Sequence, residues 1–309
     1  MKKTGLVFAL ALGLSSTFAQ NLTSKKGELI LPAEGDWAIS MCADPIFKFV
    51  GNAFSGYTGA NAAPGVTFLN GDGTIVGKMF IDEQSAYRVL LRLGFTSRSY
   101  KNFVNDDAVT TVPVFPATWP QKEDKLSVKN TMIGIGAGKE FRRGTTRLQG
   151  FYGADAMIWL TMSSNKYTYG NTMSDTTATG VTSTPTSTTW DAATGTVLST
   201  GALGSRPILT KSGMNLGVGV RGFIGAEYFI FPKIAIGAEY GWGIGFQMAG
   251  KGKSSTEKTG GSPTSVAIQE VETDGSSKFG FDTDLNQGTI FGLNGSNTGT
   301  ASLKVTFHF

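Results

Sequence analysis

The stretch MNLGVGVRGFIGAEYFIFPKIAIGAEYGWGIGFQMA, Met214–Ala249, decides the fold. In its first half Leu216, Val218, Val220, Ile224, Ala226, Tyr228 and Ile230 share one parity. Gly217, Gly219, Arg221, Phe223, Gly225, Glu227 and Phe229 share the other. After Phe231-Pro232-Lys233 the alternation resumes, with Ile234, Ile236, Ala238, Tyr240, Trp242, Ile244 and Phe246 against Ala235, Gly237, Glu239, Gly241, Gly243, Gly245 and Gln247. A period of two means strands, and the short break means an antiparallel hairpin. Each strand is about fifteen residues long, where strands of soluble proteins run about five or six. One face is apolar; the other carries Gly, Arg, Glu and Gln. An apolar outside with a small or charged inside is the pattern of a transmembrane β-barrel.

The rest of the chain repeats the pattern. Trp37, Ile39, Met41 and Ala43 alternate with Ala38, Ser40, Cys42 and Asp44. A second strand, Ile75–Ile81, alternates more weakly. In the third, Tyr87, Val89, Leu91, Leu93 and Phe95 face out, with Arg88, Leu90, Arg92, Gly94 and Thr96 in. The fourth, Leu126–Phe141, puts Ile133, Ile135, Ala137 and Phe141 out and Gly134, Gly136, Gly138 and Glu140 in. Leu126 and Val128 fall on the inward parity, which predicts a bulge near Asn130. The fifth, from Thr146 to about Met162, points Leu148, Tyr152, Ile158 and Leu160 out and Arg147, Gln149, Asp155 and Thr161 in. The eighth, Ser302–Phe309, follows the hairpin's two strands.

Connections alternate between short (82–85, 142–145, 231–233) and long (roughly 45–74, 97–124, 163–212, 251–297). This asymmetry and an even strand number are those of an outer-membrane barrel. The expected architecture is therefore all-β: an eight-stranded antiparallel up-and-down transmembrane β-barrel, with long extracellular loops and both termini periplasmic. Ten strands result if 278–293 also pairs within the membrane. The Ser163–Ser212 loop is too poor in apolar residues to fold alone. Its Asp175-Thr176-Thr177 has the form of an O-glycosylation sequon.

At the N-terminus Lys2 and Lys3, apolar Gly5–Leu14 and Thr17-Phe18-Ala19 read as a signal peptide over 1–19. A periplasmic lead-in over 20–35 and the barrel over 36–309 complete the organisation. No later run approaches the roughly 18 apolar residues of a membrane helix. The formal net charge of +4, without a basic stripe, gives no reason to expect nucleic acid. One Cys, Cys42, and one His, His308, form neither a disulfide framework nor a zinc site. His308 lies beside the C-terminus, away from the rim where barrel hydrolases keep their base, so no enzymatic activity and no cofactor is expected. The glycines of the hairpin sit within strands, not at a strand-to-helix turn, so they make room for bulky neighbours instead of cradling phosphates.

The inward charges form the candidate site. Arg88, Arg92, Arg147, Arg221 and Lys304 balance Asp44, Glu140, Asp155, Glu227 and Glu239. An eight-stranded barrel is just wide enough for its side chains to fill it, and buried charges need partners. The expectation is an ion-pair network that plugs the lumen; a narrow gated pore is the alternative. Tyr87, Phe141, Tyr228, Phe231 and Phe309 near the short turns, with Phe95, Trp242 and Phe246 toward the long loops, form two aromatic belts.

Phe18-Ala19-Gln20, Gly35-Asp36-Trp37-Ala38-Ile39 leading to Asp44-Pro45 and Gly51-Asn52, and the C-terminal Val305-Thr306-Phe307-His308-Phe309 resemble small outer-membrane β-barrel proteins of Bacteroidota, with an OmpA/OmpX-like eight-stranded architecture. The resemblance implies an outer-membrane location among outer-membrane lipid. It also implies insertion by the barrel-assembly machinery, with Phe307 and Phe309 as the C-terminal insertion signal. What remains expected is a structural, adhesion or complex-subunit role carried by the surface loops, with a surface or outer-membrane protein as partner; a narrow small-solute porin is the alternative.

Overall fold

The computed structural model describes residues 22–43, 74–174, 184–260, 265–282 and 301–309. The leader over 1–19, Asp44, the Asp175-Thr176-Thr177 sequon and Thr289–Leu293 lie outside the described residues. The described chain is all-β, in fourteen strands numbered in chain order. They are β1 (Trp37–Cys42), β2 (Ile75–Asp82), β3 (Ser85–Asn105), β4 (Gln121–Arg143), β5 (Leu148–Thr168), β6 (Thr186–Trp190) and β7 (Val197–Ala202). Then come β8 (Ser205–Lys211), β9 (Asn215–Phe231), β10 (Ile234–Ala249), β11 (Gly252–Gly260), β12 (Ser265–Thr273), β13 (Ser276–Asp282) and β14 (Ala301–His308).

Eight of them close on themselves. β1 pairs β2, β2 pairs β3, β3 pairs β4 and β4 pairs β5. β5 pairs β9, β9 pairs β10, β10 pairs β14, and β14 returns to β1. Every pairing is antiparallel. The opening hairpin forms β9 and β10, joined by a turn that holds Lys233 at a φ of 61°. Its burial alternates residue by residue: Phe223, Glu227 and Phe229 are buried inside the ring, while Val220, Ile224 and Tyr228 are exposed outside it.

The lower end of the ring, where the short turns lie, is covered by the N-terminal segment. Ser24 Oγ accepts hydrogen bonds from the Lys26 and Glu28 backbone N–H groups. The resulting turn delivers Ile30, fully buried, onto Phe229 and Ala235. The described part of the expected lead-in is thus a packed plug.

β3, β4 and β5 are 21, 23 and 21 residues long, about twice the 9–11 residues of a bilayer-spanning strand. Their upper halves occupy much of what the sequence assigned to the loops 97–124 and 163–212. The expected bulge near Asn130 is absent: β4 keeps one register with both neighbours over its whole length. Leu126 and Val128 point inward because something covers them. The β6–β7 hairpin lays Trp190 on Leu126 and Val128, with Tyr100, Tyr167 and Ala192 around them. Polar ties fix it there. The fully buried Asp124 accepts hydrogen bonds from the backbone N–H groups of Gly170, 2.8 Å, and Thr188, 2.7 Å. Asp107 accepts from Thr186 N–H at 2.7 Å, and Asn171 Nδ2 donates to the Asn105 and Thr186 carbonyls. A Ser/Thr-rich segment therefore folds by borrowing the inner face of a sheet it could not build alone.

Nearby, a hydrogen bond from Lys122 and one from the Ala108 backbone N–H hold the Asp106 carboxyl below the usual carboxylate range. That contribution is present above the unfolded carboxylate value and is lost as pH falls through the lowered one.

The 251–297 segment also forms strands. β11 pairs β8 and β12, extending the sheet beyond β5. β13 pairs Gly243–Ala249 of β10, directly above the β14 pairing with Ile234–Tyr240. β13 and β14 thus share one edge of β10, and among the described residues the ring closes with eight strands.

Trp190→Ala removes the side chain that seats the β6–β7 hairpin. A loss of about 3 kcal/mol is expected there, read by amide exchange as faster opening of β6, β7 and the upper halves of β3–β5, with β9 and β10 unchanged. Unchanged exchange in the hairpin would contradict this packing.

Candidate functional site

The inside of the ring holds two linked charge clusters. In the lower one, Lys78 Nζ lies 3.0 Å from Glu140 Oε2 and 2.8 Å from Glu227 Oε1. Arg142 bridges the same carboxylates, with Nη1 2.9 Å from Glu140 Oε1 and Nη2 2.8 Å from Glu227 Oε2. Its Nε donates to Gln149 at 2.9 Å. Thr306 Oγ1 completes the cluster, 3.2 Å from Glu227 and 3.0 Å from Ser40 Oγ.

The upper cluster is built on Asp155 and Glu239. Arg221 Nη2 pairs with both, and Lys304 Nζ lies 2.9 Å from Glu239. Arg88 links the clusters. Its guanidinium meets Glu140 at 3.2 Å, Glu239 at 3.0 Å and Asp155 at 3.4 Å, and it stacks 3.8 Å from the Phe223 ring centroid. Each of the four carboxylates meets at least two cations, and all four are buried. Low dielectric and crowded donors make such a cluster a rigid unit.

Sequence parity and structure agree on Arg88, Glu140, Asp155, Arg221, Glu227, Glu239 and Lys304, which the ring brings together. Arg92 is also fully buried inside, higher up, opposite Gly134. Arg147 is elsewhere: its Nη1 caps the Phe229 and Ile230 carbonyls at the lower end, 3.1 and 3.0 Å away. Its position at the turn, before β5 begins, removes it from the inward row.

Two members were missed. Arg142 belongs to the inward row of β4 and not to a turn; the parity of Glu140 carried one step further identifies it. Lys78 sits between inward Val76 and Phe80 on β2, apolar neighbours that hide the alternation there. Among the described residues Lys78, Arg88, Arg142, Arg221 and Lys304 pair with the four carboxylates; Asp44, the fifth expected acid, lies outside them.

Glycines set the space. Gly138 lies directly across from both Arg88 and Asp155, and Gly237 across from both Glu227 and Lys304. A Cβ on Gly138 would overlap the Asp155 carboxylate, and one on Gly237 would come 2.7 Å from Glu227 Cγ. Trp159 likewise occupies the space over Gly217, and Phe151 that over Gly225.

Apolar layers bound the network. Below are Phe80 and Phe229 with the His308 ring between them, at centroid distances of 5.6 and 5.1 Å. Above are Val76, Leu90, Met157 and Trp159. His308 Nδ1 faces the Lys233 carbonyl at 3.4 Å. At the C-terminus, Phe309 exchanges backbone hydrogen bonds with Trp37, and Phe307 pairs with Ile39 and Ile234. Among the described residues no group of His, Cys, Asp and Glu is arranged to hold a metal ion. Comparison with protein-family models, curated proteins and solved structures finds no match for this chain.

Glu239→Ala leaves Arg88, Arg221 and Lys304 sharing one fewer buried carboxylate. The expected cost is about 3–5 kcal/mol, measured as a lower urea midpoint for refolded protein. Lys101→Ala, which breaks an exposed pair with Glu123, should cost under about 1 kcal/mol. Equal costs would contradict a buried network.

Proposed function

We propose that this chain is an integral outer-membrane protein: an eight-stranded transmembrane β-barrel with a closed lumen that carries a folded platform on the cell surface. The supporting observation is the outer face of the ring. Val89 is 55 % exposed, Ile135 57 %, Ile158 53 %, Ile224 53 % and Ile244 46 %, and they stand on β3, β4, β5, β9 and β10. Trp37 and Ile39 on β1, and Leu303 on β14, extend the same exposure. A water-soluble protein rarely exposes contiguous apolar patches beyond a few hundred Å²; lipid is the solvent that suits this face. Among the described residues no helix is long and apolar enough to cross a membrane.

The filled interior supports the non-conducting reading over the small-solute porin. Apolar layers cap the charged layer on both sides, and the N-terminal plug closes the lower end. The task then falls to the platform, which fits a structural, adhesion or complex-subunit role. Among the described residues β12 pairs only β11 and exposes Ile268 and Val271. An unpaired apolar edge of this kind is a template for a strand from a partner protein.

Purified protein in planar bilayers should show no stable conductance above background. Large, steady open channels would contradict the closed lumen.

A further inference from the structure

Resting on the membrane reading above, we propose that the platform's outer face holds a binding site for the phosphate group of a membrane lipid, formed by Lys129, Lys166 and Lys211. The register places it. On the outer face of the sheet Phe95, Thr131 and Met162 stand in one cross-strand row at the top of the apolar girdle. The next outward row is Ser97, Lys129, Ser164, Lys211 and Lys253. The row after that contains Ser99, Ser127, Lys166, Leu209 and Ser255. Two residues of strand are about 7 Å, so the lysines begin that far above the row of Phe95 and Met162.

Their arrangement suits a single anion. Lys129 and Lys211 both lie directly across from Ser164, and Lys166 is two residues along β5. Lys166 is therefore the diagonal neighbour of both other lysines, about 7–8 Å away between backbones. The three line a cavity of about 600 Å³ together with Ser127, Ser164, Ser255 and one carboxylate, Glu270.

The nearby carboxylates are engaged: Glu270 pairs with Lys253 at 2.7 Å, Glu272 with Lys251 at 3.2 Å and Glu123 with Lys101 at 2.8 Å. Lys129, Lys166 and Lys211 have no carboxylate within ion-pair distance among the described residues. Three like charges at this spacing repel one another, and a phosphate between them converts that repulsion into charge-assisted hydrogen bonds. The serine hydroxyls supply further donors. The apolar girdle below, at Phe95 and Met162, would meet the lipid's chains.

The test uses the full chain in uncharged maltoside micelles and reads lipid binding by native mass spectrometry. Dioleoyl phosphatidic acid should bind, and dioleoylglycerol, with the same chains and no phosphate, should bind at least tenfold more weakly. Lys129→Gln/Lys166→Gln/Lys211→Gln should lose at least tenfold in phosphatidic acid affinity. Lys25→Gln/Lys26→Gln/Lys258→Gln, with the same loss of charge elsewhere, should bind as the parent does. Should the first triple variant fail to fold by circular dichroism, Lys166→Gln alone is expected to weaken binding at least threefold.

Equal binding by the folded lysine variant and the parent, or equal binding of the two lipids, would overturn the site. Displacement of phosphatidic acid by an equal concentration of inorganic phosphate would overturn the lipid as its ligand. A chain that stays monomeric in water without detergent would instead overturn the membrane reading beneath it.

Discussion

The structure depends on fitting large charged side chains into a ring only eight strands around. Such an interior is just wide enough for its side chains to fill it, so small residues must stand across from several of the bulky ones. Gly138 stands across from Arg88 and Asp155, and Gly237 across from Glu227 and Lys304. With that space granted, each carboxylate is close enough to touch two or three cations. The network is not worth much as a sum of pairs, because burying ions costs most of what their attraction returns. Its value is specificity. A one-residue slip of any strand turns its charges toward the apolar outside and its aliphatic residues into the charged layer. The register of seven of the eight strands is therefore held by the same cluster, and β1 joins it through Ser40 and Thr306.

The inner face changes character with height, and that change organises the rest. Aromatic rings and Ile30 close the bottom, the ion pairs fill the middle, and Val76, Leu90, Met157 and Trp159 lie above. Higher still, β3, β4 and β5 continue with Tyr100, Leu126, Val128 and Tyr167 inward. An exposed inner sheet face of that kind would be unstable in water, so it recruits the β6–β7 hairpin. The platform is consequently continuous with the ring.

Much of this was legible in the sequence, because a strict period of two over Met214–Ala249 leaves one reading of the local structure. The same parity located seven of the network's ion-paired residues. It loses Lys78 where inward Val76 and Phe80 are as apolar as the outward face, and Arg142 where a strand outruns its apolar pattern. It misplaced Arg147 by counting across a turn. The platform was illegible for a different reason. Thr and Ser alternate with nothing recognisably apolar, and the single Trp190 that seats the hairpin has its partners some sixty residues earlier, on β4. Local pattern does not identify such a contact: the inward parity of Leu126 and Val128 predicts a bulge when taken alone, and in the fold it marks a covered face.

The central claim, a ring with lipid outside and no water path inside, is tested most directly by tryptophan quenching. Two variants in bilayers each keep one native Trp, with the others changed to Phe. One keeps Trp242, which is 37 % exposed on the outer face, and one keeps Trp159, which is 1 % exposed inside. The account predicts that brominated acyl chains quench Trp242 strongly, and that neither brominated lipid nor aqueous iodide quenches Trp159. Iodide quenching of Trp159, or a Trp242 that answers to iodide and not to brominated lipid, would contradict it.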